Sequence, residues 1–155
     1  MRDLGIRSPS LKVGGVVHFG RMLDKIRVYA EGKLHPDYIA NLGRGFDDYC
    51  CKLLKVDYQM LKQRVLDGGS DDEILWWAFD QGRRPSEDEI YIWNDFMRKR
   101  GWNDDISDTL MRRKKEAGMA GRSEIRTMFD FIDVDEGRSI ANSATPVNIR
   151  VLARV

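Results

Sequence analysis

Residues 70–101 read SDDEILWWAFDQGRRPSEDEIYIWNDFMRKRG, and this stretch decides the fold class. Ser70 and Ser86 each stand three residues ahead of a glutamate, Glu73 and Glu89. At that spacing the serine hydroxyl and the glutamate carboxylate each accept a hydrogen bond from the other's backbone N–H, which starts a helix. Gly82 and Gly101 are read as the matching stops, each taking the left-handed conformation that ends a helix, with Pro85 completing the break. The predicted helices span 71–81 and 87–100.

Working outward, Asp57 is placed to cap a run in which Tyr58, Leu61 and Val65 recur at helical spacing up to Asp67, before Gly68 and Gly69 end it. Further helices are predicted over 46–55, over 17–31 ending at Gly32, over 104–117 ending at Gly118, and over 123–134 with Ile125, Met128, Phe129 and Ile132 on one face. The lengths are short and unequal and no heptad pattern is sustained. The expected architecture is therefore all-α, a compact irregular bundle of six or seven short helices. Residues 1–138 are read as one domain and 139–155 as a tail, in which Val147, Ile149 and Val151 alternate as one strand would. The longest irregular connection, 33–45, contains Pro36, Gly43 and Gly45. Ile90, Trp93, Phe96 and Met97 are expected to bury against the helix carrying Trp77. Trp76 points elsewhere on that helix; packing is the favoured role over an anchor for a partner or a stacked ligand, and it is the place to look for a contact with a second copy.

At 155 residues the chain is the size of one domain, and its 26 basic and 25 acidic side chains leave a formal charge of +1. There is no global field to draw it onto nucleic acid or an anionic membrane. No stretch is long and apolar enough to span a bilayer, and the charged start lacks the apolar run of a secretory signal, so a cytoplasmic protein is expected. Cys50 and Cys51 are adjacent and are read as free thiols. With only His18 and His35 beside them they lack the spacing of a zinc site, and no metal is expected. Residues 133–137, DVDEG, echo a calcium loop, but Arg138 stands where that loop needs glycine, so these carboxylates are expected to pair with basic side chains instead.

Several segments together resemble a known family: Ser8-Pro9; Gly14-Gly15 leading to His18, Arg21, Asp24, Lys25 and Arg27; residues 41–47, NLGRGFD; Val56-Asp57-Tyr58; Arg84-Pro85-Ser86-Glu87 with Trp93; and residues 129–138. The chain resembles the bacterial family named domain of unknown function 5069. The resemblance implies a compact helical domain and carries no activity, cofactor or site residue.

The chemical reading therefore stands on the residues. On the first helix, Phe19, Met22, Leu23 and Ile26 share one face, and His18, Arg21 and Lys25 line its rim. Arg21 offers a planar fork for a carboxylate or phosphate, Lys25 a point charge, and His18 a hydrogen bond or a proton. The plainer alternative is a set of boundary side chains whose heads meet water or acidic neighbours. Arg44, between Gly43 and Gly45 ahead of a helix, could reach across to the same rim, though Asp47 and Asp48 already supply the negative charge that the helix start attracts.

The leading expectation is a binding module holding a small anionic molecule through His18, Arg21, Lys25 and Arg44, acting as a homo-oligomer or with a protein partner. The alternative is a small enzyme using His18 as acid or base, which needs a further polar partner that the sequence does not reveal. The basic run Arg112–Lys115 is read as a solvated helix end in preference to a nucleic-acid contact.

Overall fold

The computed structural model describes residues 4–140. The tail reading, including the strand at 147–151, lies almost wholly outside the described residues. Within them the fold is helical. Strands β1 (Lys12–Val13) and β2 (Val16–Val17) precede α1 (Phe19–Ala30), α2 (Pro36–Ile39), α3 (Phe46–Leu54), α4 (Tyr58–Leu66), α5 (Asp71–Gln81), α6 (Glu87–Lys99), α7 (Ser107–Glu116) and α8 (Met128–Asp135).

The capping boxes at Ser70 and Ser86 both form, and Thr127 with Asp130 makes a third ahead of α8. Three expected spans are shorter than read. The first helix begins at Phe19, because Gly14 and Gly15 are both left-handed and fold residues 12–17 into a hairpin, with Val13 opposite Val16. The last begins only at its Thr127 cap, and α7 starts at Ser107, the hydroxyl of which accepts from the backbone of Asp104. The connection 33–45 is not wholly irregular, because Pro36 at the first turn and His35 at the cap support the short helix α2.

α1 is the centre of the domain. Phe19, Met22, Leu23 and Ile26 are buried, and α4 is the helix packed most closely along it. The main core joins these to Leu54, Leu61, Ile74, Ala78 and Met97, while Leu110, Ile125, Met128 and Phe131 form a second cluster between α7 and α8. Trp93 and Met97 are buried as expected, but α6 leans chiefly on β2 and α8, and Phe96 is exposed at its surface beside Tyr49. Asn94 of α6 fastens the hairpin, accepting from the Val17 backbone at 3.1 Å and donating to the Gly15 carbonyl at 2.8 Å. Trp76 is 53% exposed, with the Arg84 guanidinium 4.5 Å from its ring centre.

Gly82 does not end α5 in the left-handed conformation expected of it, since its φ is −108°. Its glycine identity follows from a close approach. A Cβ there would run into the carbonyl oxygens of Leu54 and Lys55, the latter at 2.6 Å, because Arg83 docks the end of α5 on α3 through Leu53 and Leu54. Backbone atoms cannot swing aside as a side chain can. Gly82→Ala is expected to destabilise the domain by at least about 2 kcal/mol in urea denaturation. Gly118→Ala, at a left-handed position facing open space, should cost about 1 kcal/mol.

Candidate functional site

His18, Arg21 and Lys25 face one side of α1, but they are not a free basic rim. All three are buried, at 2%, 4% and 6% exposure, and each meets a buried carboxylate. Asp47, on the first turn of α3 and fully buried, accepts from His18 Nε2 at 2.8 Å and Lys25 Nζ at 2.7 Å through one oxygen. Its other oxygen accepts from the Gly43 backbone at 3.1 Å. Glu136, just past α8, receives both Arg21 nitrogens at 2.8 and 2.6 Å, the Tyr38 hydroxyl at 2.8 Å and Arg138 at 2.7 Å. Asp133 joins this second group through Arg138 at 3.2 Å and the Ser8 hydroxyl at 2.9 Å.

The plainer sequence reading, acidic neighbours for each basic head, therefore holds for all three α1 side chains. It also holds for Asp133 and Glu136 within residues 133–138, which pair with Arg138 and Arg21. The Gly43-Arg44-Gly45 loop does not offer its Gly43 N–H to an external anion, since Asp47 already occupies it. Asp24 and Arg27, further round α1, join Arg7 and Asp71 in ion pairs that tie the N-terminal segment to α1 and α5.

Burial governs the protonation of these groups. It pushes the Asp47 carboxyl up, but the hydrogen bond from His18 and the charge of Lys25 outweigh that and hold it down at about 2. Burial lowers His18 below 6.5 despite Asp47, so the imidazole is neutral at neutral pH. The same effect lowers Lys25 below 10.5. Glu136 is pushed up by burial but held below its ordinary value by Arg21, Arg138 and Tyr38. Tyr38 is raised to about 12 by burial and the Glu136 charge.

A neutral His18 donating from Nε2 to Asp47 leaves Nδ1 as a lone-pair acceptor. Nδ1 is buried and has no hydrogen-bond partner among the described residues. His18 also has a left-handed backbone, φ 69°, uncommon outside glycine, and its ring meets Phe46 edge-on at 5.8 Å.

His18, Arg21 and Lys25 line one side of a cavity of about 680 Å³. Arg44 and Tyr38 line it from the α2–α3 region, Phe46 and Tyr49 from α3, Arg112 and Arg113 from α7, and Phe131 from α8. Thus the four residues singled out in the sequence share one cavity, though three of them contribute pairs already neutralised. Among the described residues neither Arg44 nor Arg113 has a hydrogen-bonding or ion-pairing side-chain partner. Arg100 is held by Asp104 and Asp105, and Arg112 leans on Glu116 at 3.4 Å.

The family model described as Domain of unknown function (DUF5069) matches residues 4–138, nearly all of the described chain. The chain belongs to that family. The match covers Asp47 and Glu136 as well as α1, so the whole paired floor of the cavity lies within the DUF5069 region. No curated protein matches the chain.

Sequence reasoning missed Asp47 as the partner of His18 and Lys25, and Arg21 as the particular partner of Glu136, because these groups lie 22 to 115 residues apart. It also missed Lys114, which leaves the basic run of α7 to donate to the Arg122 and Ile125 carbonyls at 2.8 and 2.9 Å. That run therefore does not present four cations to a polyanion. Cys50 and Cys51 are both buried free thiols; burial raises Cys50 well above 9.0 and Cys51 to about 12, so neither is a thiolate at neutral pH. No group of three metal-ligating side chains is assembled, and no helix is long and apolar enough to cross a membrane, among the described residues.

Removing the Asp47 charge strands Lys25 in the interior, so Asp47→Asn is expected to cost about 3 kcal/mol or more by chemical denaturation. Stability should also fall with pH in two stages. Below 6.5 unfolding takes up a proton on His18, and between 3.8 and about 2 the contribution of ionised Asp47 is lost. Denaturation midpoints measured across that range should decline throughout, and the acid stage should be weaker in Asp47→Asn.

Proposed function

We propose that this domain is a binding module for a small organic anion held in the cavity beside α1. The observation that carries the reading is the placement of Arg44 and Arg113, two cations without a protein carboxylate, in the same concave surface as His18, Arg21 and Lys25. Guanidinium forks suit carboxylate or phosphate, and a partly aromatic cavity of this size suits a small molecule better than a polymer. Arg21 and Lys25 contribute shape and hydrogen-bonding capacity more than net charge, because Glu136 and Asp47 already balance them.

A second reading, acid or base chemistry at His18, is favoured by one observation: Asp47 supplies the polar partner such a histidine needs, holding Nε2 and leaving the buried Nδ1 without a protein partner. The two readings differ in turnover. Incubating the purified protein with a small-molecule cell extract and following metabolite levels separates them. Depletion of an acidic metabolite that is lost in a folded His18→Asn variant supports catalysis, whereas unchanged levels support binding alone.

Comparison of the protein's mass under native and denaturing conditions, with a thermal melt against a panel of organic phosphates and carboxylates, tests the binding reading. Either an acidic molecule released on denaturation or a raised melting temperature with a panel member is expected. The effect should weaken about tenfold or more in Arg44→Gln/Arg113→Gln, which changes no protein ion pair. A bare protein that no panel member stabilises would contradict the reading.

A further inference from the structure

Three features are not accounted for by the ion pairs of the floor: the buried thiols, the exposed Trp76–Arg84 stack, and the orphaned acceptor on His18. The thiols face no base and stay protonated, and nothing in the structure shows what covers Trp76. The acceptor carries further.

A buried nitrogen that accepts from nothing costs free energy unless something completes it. His18 is 2% exposed, lines the cavity, and is fixed in place by Asp47 on one side and by the Phe46 ring on another. It adopts a left-handed backbone, uncommon outside glycine, while its side chain makes no cap to its own helix. That backbone conformation is thus not explained by helix capping. With Nε2–H committed to Asp47, Nδ1 accepts and does not donate. The unpartnered cations of the cavity belong to other elements, the α2–α3 loop and α7, so the site has an accepting pole on α1 and a cationic pole away from it.

We propose that the ligand class is a hydroxylated organic anion, its carboxylate or phosphate meeting Arg44 and Arg113 and its hydroxyl donating to His18 Nδ1. This rests on the anion-binding reading and adds the polarity of the ligand. The aromatic lining from Tyr38, Phe46 and Tyr49 accommodates the carbon body between the poles. A site built to receive a hydroxyl discriminates against the analogue that lacks it, because the buried acceptor is then left unpaired.

The test is isothermal titration of the full chain with two matched pairs: glycerol 1-phosphate against propyl phosphate, and 4-hydroxyphenylacetate against phenylacetate. The hydroxylated member of at least one pair should bind about tenfold tighter or better. That preference should disappear in His18→Asn, a variant chosen because asparagine tolerates the left-handed backbone. In Arg44→Gln, where the side chain is exposed, both members should weaken together with the preference retained. Equal affinity within both pairs would overturn the hydroxyl assignment and leave the anion reading standing. No binding of any of the four at millimolar concentration would overturn both.

Discussion

The carboxylate of Asp47 is the constraint on which the rest of the site depends. It is fully buried, and a charge there is tolerable only because it accepts from His18, Lys25 and the Gly43 backbone at once. Those three contacts reach α1 from α3 and fix the loop between α2 and α3 on the way. Lys25 can enter the core only because Asp47 is there, and His18 takes one tautomer because one oxygen of Asp47 holds Nε2. Glu136 does the same work at the other end, gathering Arg21, Tyr38 and Arg138. One helix is thereby locked to both the middle and the end of the chain.

This arrangement changes what a basic helix face means. Three cationic or potentially cationic side chains at spacings of three and four suggest an anion site, yet the fold spends their charge internally. The cavity they border takes its free positive charge from Arg44 and Arg113, on segments remote in sequence from each other. What α1 adds is a fixed set of donors and one unpartnered capacity to accept, held in a geometry that the ion pairs make rigid. Preorganisation of this kind is what a binding or catalytic pocket requires, since little ordering is left to be done when a ligand arrives.

Much of the fold was legible because it is written locally. The serine–glutamate spacing at Ser70 and Ser86 and the Asp57 cap all rest on hydrogen bonds spanning three residues, and they form as read. The hairpin at residues 12–17 was also local, signalled by Gly14-Gly15 between valines, but two-residue strands leave too short an alternation to stand out against a helical neighbour. Gly82 looked like an ordinary terminator, whereas its reason, contact with the end of α3, is tertiary. The site divides the same way. His18, Arg21, Lys25 and Arg44 were singled out because they cluster in sequence around two short segments. Asp47 stood beside them but read as a helix cap, and Glu136 read as part of an acidic loop, since pairing over such distances follows from packing and leaves no periodic trace.

The account turns on a neutral His18 that donates through Nε2 to an ionised Asp47 and keeps Nδ1 as an acceptor. Nitrogen NMR of the side chain in protein labelled at its two histidines, followed through a pH titration, observes this directly, with His35→Gln assigning the resonances. The account predicts that at pH 6.5 the His18 ring is mainly neutral and carries its proton on Nε2. A ring doubly protonated at that pH, or one protonated on Nδ1 in place of Nε2, would contradict it.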